Sequence, residues 1–433
     1  MSGFEIGLLS LLALLILIWL GMHVGVALAG VSLLGVWAIK GNWIIASKLL
    51  ALAAYDSISH HIFGVVPLFV LMGLLVSVSD VGADTFRAAN RLFGRMKGGL
   101  GIATVVANAI FAAITGISIA SAAVFTKVAV PEMLKLNYTP RFAVGVVAGS
   151  SVLGMLIPPS LLLILFGFLS ETSIGALFLA GVIPGLLLAF CFAIAILIMA
   201  YRLPTFVGGE DAPAAAGPLW HVFLELSPIA ILITLVLGGI YGGFFTPTEA
   251  GAVGALGALI IAIVKRRLTW RKFWDVLLET GHVTVSICFL IIAASIYSRM
   301  LTLSGIPQFL VGQIEVLSFG SMAVVMAIVG LILIMGTVMD STSILLIVVP
   351  MTLPILTGFE VNLIWFGIVA IVAVEIGLLT PPLGLSVYVI KSTLNDDRVS
   401  LGDIFVGAAP FAVIMTFVLL VLILFPSLSL VLI

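Results

Sequence analysis

The sequence predicts an all-α polytopic membrane protein, on the basis of its composition, its long apolar runs and a repeated pattern of helix breaks. Of its 433 residues, 63% are hydrophobic and only 9% are charged, and the mean hydropathy is +1.38. Soluble globular proteins are about 25% charged, so this composition excludes a water-soluble domain. The length leaves room for about ten to thirteen membrane-crossing helices or re-entrant segments.

Eight apolar stretches with few charges predict transmembrane helices, because a span needs about 20 residues. No Lys or Arg precedes Lys40, so we interpret the first stretch as a retained span rather than a cleaved signal peptide. The stretches are Phe4–Leu20, Val24–Ile39, Ile62–Val78, Gly175–Tyr201, Val222–Tyr241, Ala250–Val264, Val276–Ile296 and Phe405–Leu432.

Three further regions carry small, polar and proline residues at their centres: Gly99–Val130, Arg141–Ser170 and Gly320–Ser392. Backbone groups released from a helix at membrane depth must be satisfied by protein or by water. These regions therefore predict re-entrant hairpins and broken helices that line a cavity.

An internal repeat organises these segments. A shift of 223 residues places Gly154 on Gly377 and Pro158-Pro159 on Pro381-Pro382, within the strings GMLIPP and GLLTPP. We predict a first repeat over 1–200, with hairpin 1 at about 99–130 and a broken helix at 141–170. A cytoplasmic linker follows over 201–220. The second repeat, over 221–433, contains hairpin 2 at about 320–357 and a broken helix at 362–392.

The distribution of basic residues predicts that the two repeats are inverted. If the cluster Lys265–Lys272 is cytoplasmic, as the positive-inside rule favours, alternating spans place 14 of the 18 basic residues on that side. The Gly154 segment then runs outward and the Gly377 segment runs inward, as in many secondary transporters. The other residues on that side are Arg87, Arg91, Arg95, Lys97, Lys135, Arg141, Arg202, Lys391 and Arg398.

The hairpins and breaks contain the candidate functional residues. Hydroxyls and freed carbonyls are oxygen ligands suited to Na⁺, whereas half-helix N-termini suit an anion. Close helix packing and simple proline kinks are the alternative interpretations. The residues are Thr115, Gly116, Ser118 and Ser121 in hairpin 1, Gly336, Thr337, Asp340, Ser341, Thr342 and Ser343 in hairpin 2, and Gly149, Ser150, Ser151, Gly154, Thr380 and Gly384 near the breaks.

Ionisable residues at membrane depth are functional candidates by default. Asp340 and Glu375 are each suited to binding a cation, to proton coupling or to a structural hydrogen bond, and for Asp340 we favour a cation or tip-organising role. Lys127 is expected to extend towards the cytoplasm. Glu249 has the spacing of a helix-capping box with Thr246.

Several motifs are absent. The chain has no P-loop, no HExxH and no Cys/His cluster with zinc spacing, and its five histidines are scattered. No acid, base and nucleophile set converges, so we expect a protein that is not an enzyme. A net charge of −1 gives no reason to expect a nucleic-acid partner.

Together, the motifs resemble the large membrane subunit of tripartite ATP-independent periplasmic (TRAP) transporters over essentially the whole chain. The matching strings are VPLFVLMG from Val66, GGLGIATVVANAIFAAITG from Gly98, PEMLKLNY from Pro131, GSSVLGMLIPPS from Gly149, SIGALFLAGVIPG from Ser173, GGIYGGFFTPTEAGAV from Gly238 and IGLLTPPLGL from Ile376.

The resemblance implies an elevator-type, inverted-repeat secondary transporter of the bacterial inner membrane, driven by a Na⁺ gradient. It implies a periplasmic binding protein that delivers substrate and a small membrane subunit, which we expect to be a separate chain because no extra N-terminal spans are present. Substrate binding is carried over to Thr115, Ser118, Ser151, Thr380, Pro381 and Ser386. Na⁺ binding is carried over to Gly116, Gly149, Ser150, Gly336, Asp340 and Thr380.

The predicted function is therefore Na⁺-driven import of a small organic acid, a carboxylate or a sulfonate. The alternatives are a stand-alone ion-coupled dicarboxylate symporter, the membrane permease of an ATP-driven importer, and a channel.

Overall fold

The computed structural model describes residues 2–59, 61–209, 220–309, 312, 320–396 and 399–433. Within these ranges the chain forms α-helices and no β-strand, which confirms the predicted all-α membrane class. By length and composition, six of the described helices can cross a membrane, or eight if each of two bent helix pairs is one span. Half of the predicted linker, 210–219, and Arg398 lie outside the described residues.

The described part of the first half forms eleven α-helices and contains hairpin 1 (α6 and α7) and broken helix 1 (α8 to α10). A short 3₁₀ turn, His61–Gly64, precedes α4. The helices are α1 (Gly3–Trp19), α2 (Val24–Lys40), α3 (Trp43–Ser59), α4 (Val65–Val78), α5 (Val81–Phe93), α6 (Gly99–Thr115), α7 (Ser118–Lys135), α8 (Pro140–Ser151), α9 (Leu153–Leu156), α10 (Leu161–Ser170) and α11 (Ile174–Arg202).

The second half contains hairpin 2 (α16 and α17) and broken helix 2 (α18 and α19). Its described helices are α12 (Pro204–Val207), α13 (Trp220–Tyr241), α14 (Pro247–Val264), α15 (Trp270–Ser304), α16 (Ser321–Gly336), α17 (Ser341–Gly358), α18 (Leu363–Gly377), α19 (Leu385–Leu394), α20 (Leu401–Leu424) and α21 (Ser427–Leu430).

Local chemistry explains where several helices begin. At α14, the Thr246 hydroxyl accepts a hydrogen bond from the Glu249 N–H (3.3 Å), and the Glu249 carboxylate accepts one from the Thr246 N–H (2.8 Å). This arrangement is the predicted capping box, with Pro247 at the first helical position. At α8, the Thr139 hydroxyl similarly accepts from the Phe142 N–H, 3.2 Å away.

Two helices of more than ten residues were not predicted, because charges interrupt their hydropathy. Helix α3 carries Lys48 and Asp56, and the Asp56 carboxylate accepts a hydrogen bond from Arg299 of α15 (2.8 Å). Helix α5 carries Asp84 and two arginines on one side and bends by 63° from α4. An amphipathic pattern of this kind gives a weak membrane signal but still forms a helix when one face packs.

An ion-pair network joins α5 to the ends of two neighbouring helices. Asp84 pairs with Lys265, which follows the last residue of α14. Arg91 pairs with Glu225 of α13, with 3.2 Å between Nη2 and Oε1. Burial lowers the pKa of the Lys265 ammonium group, and the nearby Asp80 carboxylate opposes that shift.

The broken helices occupy the centre of the molecule. Every residue from Phe142 to Ser151 in α8 and from Trp365 to Gly377 in α18 is buried. In contrast, α1 and α13 expose large apolar side chains such as Leu12 and Phe223. A membrane helix that is buried on all sides lies inside the bundle, whereas exposed apolar side chains are suited to lipid.

Helices α2 and α15 run side by side and form one wall of the molecule. Gly25 of α2 lies against Phe289 of α15, and Gly35 lies against Met300. The order of these two contacts makes the helices parallel. Helix α15 has 35 residues and begins six residues before its predicted start at Val276.

Candidate functional site

The tip of hairpin 1 is joined to the break in broken helix 1. The Gly116 carbonyl accepts a hydrogen bond from the Leu161 N–H (3.2 Å). Gly116 has a φ of +59°, and a Cβ at this position would lie 2.7 Å from the Pro159 carbonyl oxygen. Only glycine combines this backbone conformation with so close a contact.

The tip of hairpin 2 is joined to broken helix 2 in a corresponding way. The Thr337 carbonyl accepts a hydrogen bond from the Leu383 N–H (3.2 Å). Gly336 packs directly on the backbone of Gly377, because an added Cβ would lie 2.7 Å from the Gly377 Cα. In both halves, therefore, a tip carbonyl binds an amide just beyond a Pro-Pro pair. Both Pro-Pro bonds are cis.

Asp340 organises the second tip. It is the N-cap of α17, and its carboxylate accepts hydrogen bonds from the Ser343 N–H (3.0 Å) and the Ser343 hydroxyl (2.5 Å). The contact is compatible with a tip-organising role, which stays a prediction beside the cation role. The side chain is only partly buried, so its carboxylate remains accessible from the cavity described below.

Ser150 has a partner that the sequence analysis missed. The Asn108 amide of hairpin 1 donates to the Ser150 Oγ atom (2.6 Å), and the Asn108 Oδ1 atom is buried without a hydrogen-bond partner. A lone amide in an apolar helix is costly to bury. Its presence in the sequence is therefore the signal that could have identified Asn108. An unpartnered oxygen beside Ser150 is a suitable ligand for a cation that prefers oxygen.

The other predicted site residues of the first repeat are buried in hairpin 1 or broken helix 1. Thr115 lies 3.5 Å from the Ser121 hydroxyl, and the Ser151 hydroxyl donates to the Ala148 carbonyl (2.9 Å). Gly149 faces the ring of Phe411 in α20.

The predicted residues after the second break have different surroundings. The Thr380 hydroxyl donates to the Ile376 carbonyl (2.6 Å), and Pro381 is exposed. Ser386 is fully buried and its Oγ atom has no hydrogen-bond partner. The first break, in contrast, is buried throughout Pro158–Ser160.

Glu375 lies where the two hairpins meet. Its side chain is 1% exposed, and its Oε1 atom accepts a hydrogen bond from the Ser341 hydroxyl (3.1 Å). Ser118 of hairpin 1 faces the same carboxyl group. Of the three roles that the sequence allowed, the structural hydrogen bond is the contact observed.

A cavity of about 1010 Å³ lies between the hairpins and the wall formed by α2 and α15. Asp340 of the predicted cation set lines it, whereas the residues predicted to bind substrate lie outside its lining. The polar lining residues are His23, Ser77, Asp80, Lys127, Glu279, His282, Ser286, Asp340, Ser341, Thr342 and Ser343.

Faces of two helices contribute part of this lining. On α7, Ala120, Ala123, Val124, Lys127 and Val128 recur at helical spacing; on α15, Glu279, His282, Val283, Ser286 and Ile287 do the same. The structure thus brings together His23 and His282, which are far apart in the sequence.

Charges in the cavity are only partly compensated. Asp80 pairs with Arg267 (3.0 Å), and the Asp340 oxygens accept hydrogen bonds from Ser343. Within the described part of the chain, Lys127 and Glu279 form no ion pair. No group of three or more His, Cys, Asp or Glu side chains suited to a metal occurs among those residues.

Comparisons with known proteins identify similar sequences and a similar fold. The family model described as the DctM component of the tripartite ATP-independent periplasmic transporter matches residues 11–428. The C4-dicarboxylate TRAP transporter large permease protein DctM of Pseudomonas aeruginosa is 33% identical over 88% of each chain. The sialic acid TRAP transporter large permease protein SiaM of Vibrio cholerae is 31% identical over 96% of each chain.

Among solved structures, the YdaH transporter of Alcanivorax borkumensis superimposes with a TM-score of 0.63. The match covers 88% of this chain and 89% of that chain at 11% sequence identity. At this identity the similarity is one of fold.

Proposed function

Because the chain belongs to the DctM family of tripartite ATP-independent periplasmic transporters, we propose that it imports a small organic acid with a Na⁺ gradient, by an elevator movement. Members of this family are transporter permeases and not enzymes. Their large subunits are multi-pass membrane proteins that act with a small subunit and a periplasmic binding protein. We place this chain in the bacterial inner membrane.

The observation that carries this proposal is the cavity between the hairpin tips and the α2–α15 wall. Ligand pockets usually enclose about 300–1,000 Å³, so a volume of about 1010 Å³ accommodates a small acid. The Thr342 hydroxyl lies at one end of the cavity, and Lys127 lies on the hairpin 1 side. A hydroxyl donor and an unpaired ammonium group together suit a carboxylate or sulfonate.

The names of related permeases point to the same class of substrate. Two relatives are named for C4-dicarboxylate and sialic acid, and a third, from Oleidesulfovibrio alaskensis, is named for isethionate. These compounds share an anionic carboxylate or sulfonate group. We infer an anionic substrate for this chain and leave its carbon skeleton to experiment.

For the coupling ion, two groups of oxygen atoms are candidates. Near hairpin 1, the unpartnered Asn108 Oδ1 atom lies beside Ser150, and near hairpin 2 the Asp340 carboxylate faces the cavity. Hard cations take carbonyl, hydroxyl and carboxylate oxygens. We assign Na⁺ binding to these two places.

The elevator proposal rests on how the segments are joined. Each hairpin tip is hydrogen-bonded to its own broken helix, so hairpins and broken helices form one body on one side of the cavity. Helices α2 and α15 form the opposite wall. Asp80, which lines the cavity, pairs with Arg267 of the basic cluster, so the cavity opens to the cytoplasm if that cluster is cytoplasmic.

Reconstitution tests the proposal. The chain and its small membrane subunit are placed in liposomes, loaded binding protein is added outside, and an inward Na⁺ gradient is imposed. We expect uptake that depends on Na⁺ and on the binding protein. Uptake that ignores Na⁺ would refute the coupling, uptake without the binding protein would indicate a stand-alone symporter, and uptake that needs ATP would indicate an ATP-driven importer.

A further inference from the structure

Ser118 and Ser341 are equivalent residues of the two hairpins. Each is the first residue of the second hairpin helix, α7 or α17, and they are separated by the 223 residues of the sequence repeat. Both are buried, with 0% and 6% exposure respectively. The two serines are therefore buried residues at equivalent positions, each at the beginning of an 18-residue helix.

A single carboxyl group, that of Glu375, lies near both serines. The Ser341 hydroxyl donates to its Oε1 atom (3.1 Å), and Ser118 faces the same carboxyl group from hairpin 1. The Glu375 Oε2 and Ser118 Oγ atoms are buried and have no hydrogen-bond partner. In this conformation Glu375 is therefore hydrogen-bonded to hairpin 2 through Ser341 and is not hydrogen-bonded to Ser118 of hairpin 1.

The carboxyl group breaks the symmetry of the repeat. A shift of 223 residues pairs Glu375 with Val152, which is also buried. One repeat therefore provides an acid and the other an aliphatic side chain, so one group serves both hairpins. A serine from each hairpin approaches a group that only the second repeat contains.

Burying this acid is costly, and its surroundings indicate what offsets the cost. Within the described residues, no cation pairs with Glu375. Two helix N-termini provide partial positive charge, and hydrogen bonds to a carboxylate are stronger than those between neutral groups. Both compensating features come from the hairpins and would be lost if the tips separated.

We propose that Glu375 is a positioning residue that holds the two hairpin tips in register. Through Ser341 it fixes the end of hairpin 2 that lines the cavity, and its free Oε2 atom is the acceptor available to Ser118 at the beginning of α7, whose face forms the hairpin 1 side. The relative position of the two tips then depends on this one carboxyl group. The role in substrate binding rests on the proposed function, whereas the role in tip geometry does not.

The tip geometry is measured first, without transport. Cys191 and Cys288 are replaced, spin labels are attached at Ile119→Cys and Thr342→Cys, and double electron–electron resonance gives the distance distribution. We expect one narrow distribution with Glu375 present and a broader or displaced one in Glu375→Gln and Glu375→Met. Distributions unchanged in both variants would overturn the proposal.

A matched variant distinguishes a bridge from general loosening of the core. Val152→Ala removes buried volume at the equivalent position of the first repeat but no hydrogen bond. We expect it to lower thermal stability and to leave the label distribution narrow. Broadening equal to that of Glu375→Gln would mean that any core defect disturbs the tips, and the proposal would fail.

Transport provides an independent second test. In the Na⁺-driven assay, Glu375→Gln is expected to raise KM for the substrate about tenfold, the loss typical of a hydrogen bond to a charged group, with a smaller effect on kcat. Ser118→Ala and Ser341→Ala should add little to KM in the Glu375→Gln background, because partners in one network are not additive. Fully additive effects of these substitutions on KM would contradict a carboxyl group shared by the two serines. Wild-type uptake that ignores Na⁺ would refute only the proposed coupling.

Discussion

At the scale of single residues, the site combines polar groups that share one environment but not one sequence motif. Lys127 and Glu279 are charged, line the same cavity and have no ion-pair partner within the described residues. Asn108 has an unpartnered oxygen in the interior of hairpin 1. Groups left unpaired at membrane depth are costly, and such a cost is usually retained for function.

Lys127 provides the first residue-scale prediction. Lys127→Met preserves the length of the side chain but removes its charge, so we expect KM for an anionic substrate to rise about tenfold, the effect typical of a charge-assisted hydrogen bond. Lys127→Arg preserves the charge and should stay within about threefold of wild type. Uptake kinetics in proteoliposomes measure both. Equal KM values for wild type and Lys127→Met would remove this residue from the anion site.

Asn108 provides the second residue-scale prediction. Asn108→Ala removes the unpartnered Oδ1 atom beside Ser150, and we expect the Na⁺ concentration for half-maximal uptake to rise about tenfold through loss of one ligand. Thr104→Ala is the matched control, because Thr104 is one turn away and its hydroxyl donates only to the Leu100 carbonyl of its own helix (2.7 Å). A similar Na⁺ shift in the control would argue for a packing effect.

At the scale of elements, each hairpin and its broken helix form a unit held at the tip. Backbone hydrogen bonds make this connection, so it depends on close approach more than on side-chain chemistry. The two units differ in their surroundings, because the first break is buried throughout Pro158–Ser160 and Pro381 at the second is exposed.

A substitution at the first tip tests that connection. Gly116→Ala introduces a Cβ at positive φ and 2.7 Å from the Pro159 carbonyl oxygen, so we expect a loss of about 1–3 kcal/mol of stability. Gly330→Ala in α16 is the matched control, because no atom lies within 4 Å of an added Cβ there. Thermal unfolding in detergent compares them. Equal unfolding midpoints for the two variants would contradict the close packing at the tip of hairpin 1.

The sequence predicted those elements whose signals are local. Paired prolines, glycine at the first tip and the Thr246–Glu249 capping box act within one or two turns, so the hairpins and breaks could be located. The cavity could not be predicted in this way, because Lys127 and Glu279 meet only through packing of distant helices. The pairing of Glu375 with both hairpins is non-local for the same reason.

At the scale of the whole molecule, the cavity lies between one body, the hairpins and broken helices, and the α2–α15 wall. Helix α20 belongs to the body, since Arg141 of α8 donates to the Asp403 carboxylate at its start (2.6 Å). An elevator movement then requires α7 to slide past α15.

Cross-linking tests this requirement. In a chain without native cysteines, a bifunctional reagent joining Val124→Cys on α7 to Ser286→Cys on α15 is expected to abolish uptake, because it joins the body to the wall. Joining Arg141→Cys to Asp403→Cys stays within the body and should leave at least about half of the uptake. If the α7–α15 product transports at the wild-type rate, the two parts do not move past one another.

The length of α15 limits how far such a movement can extend. At about 1.5 Å per residue, its 35 residues measure roughly 52 Å, against a hydrocarbon core of about 30 Å. Even at a steep tilt of about 40°, the helix still rises roughly 40 Å along the bilayer normal. The helix is therefore about 10 Å taller than the hydrocarbon core. The body of hairpins and broken helices can slide by about that distance and still face α15.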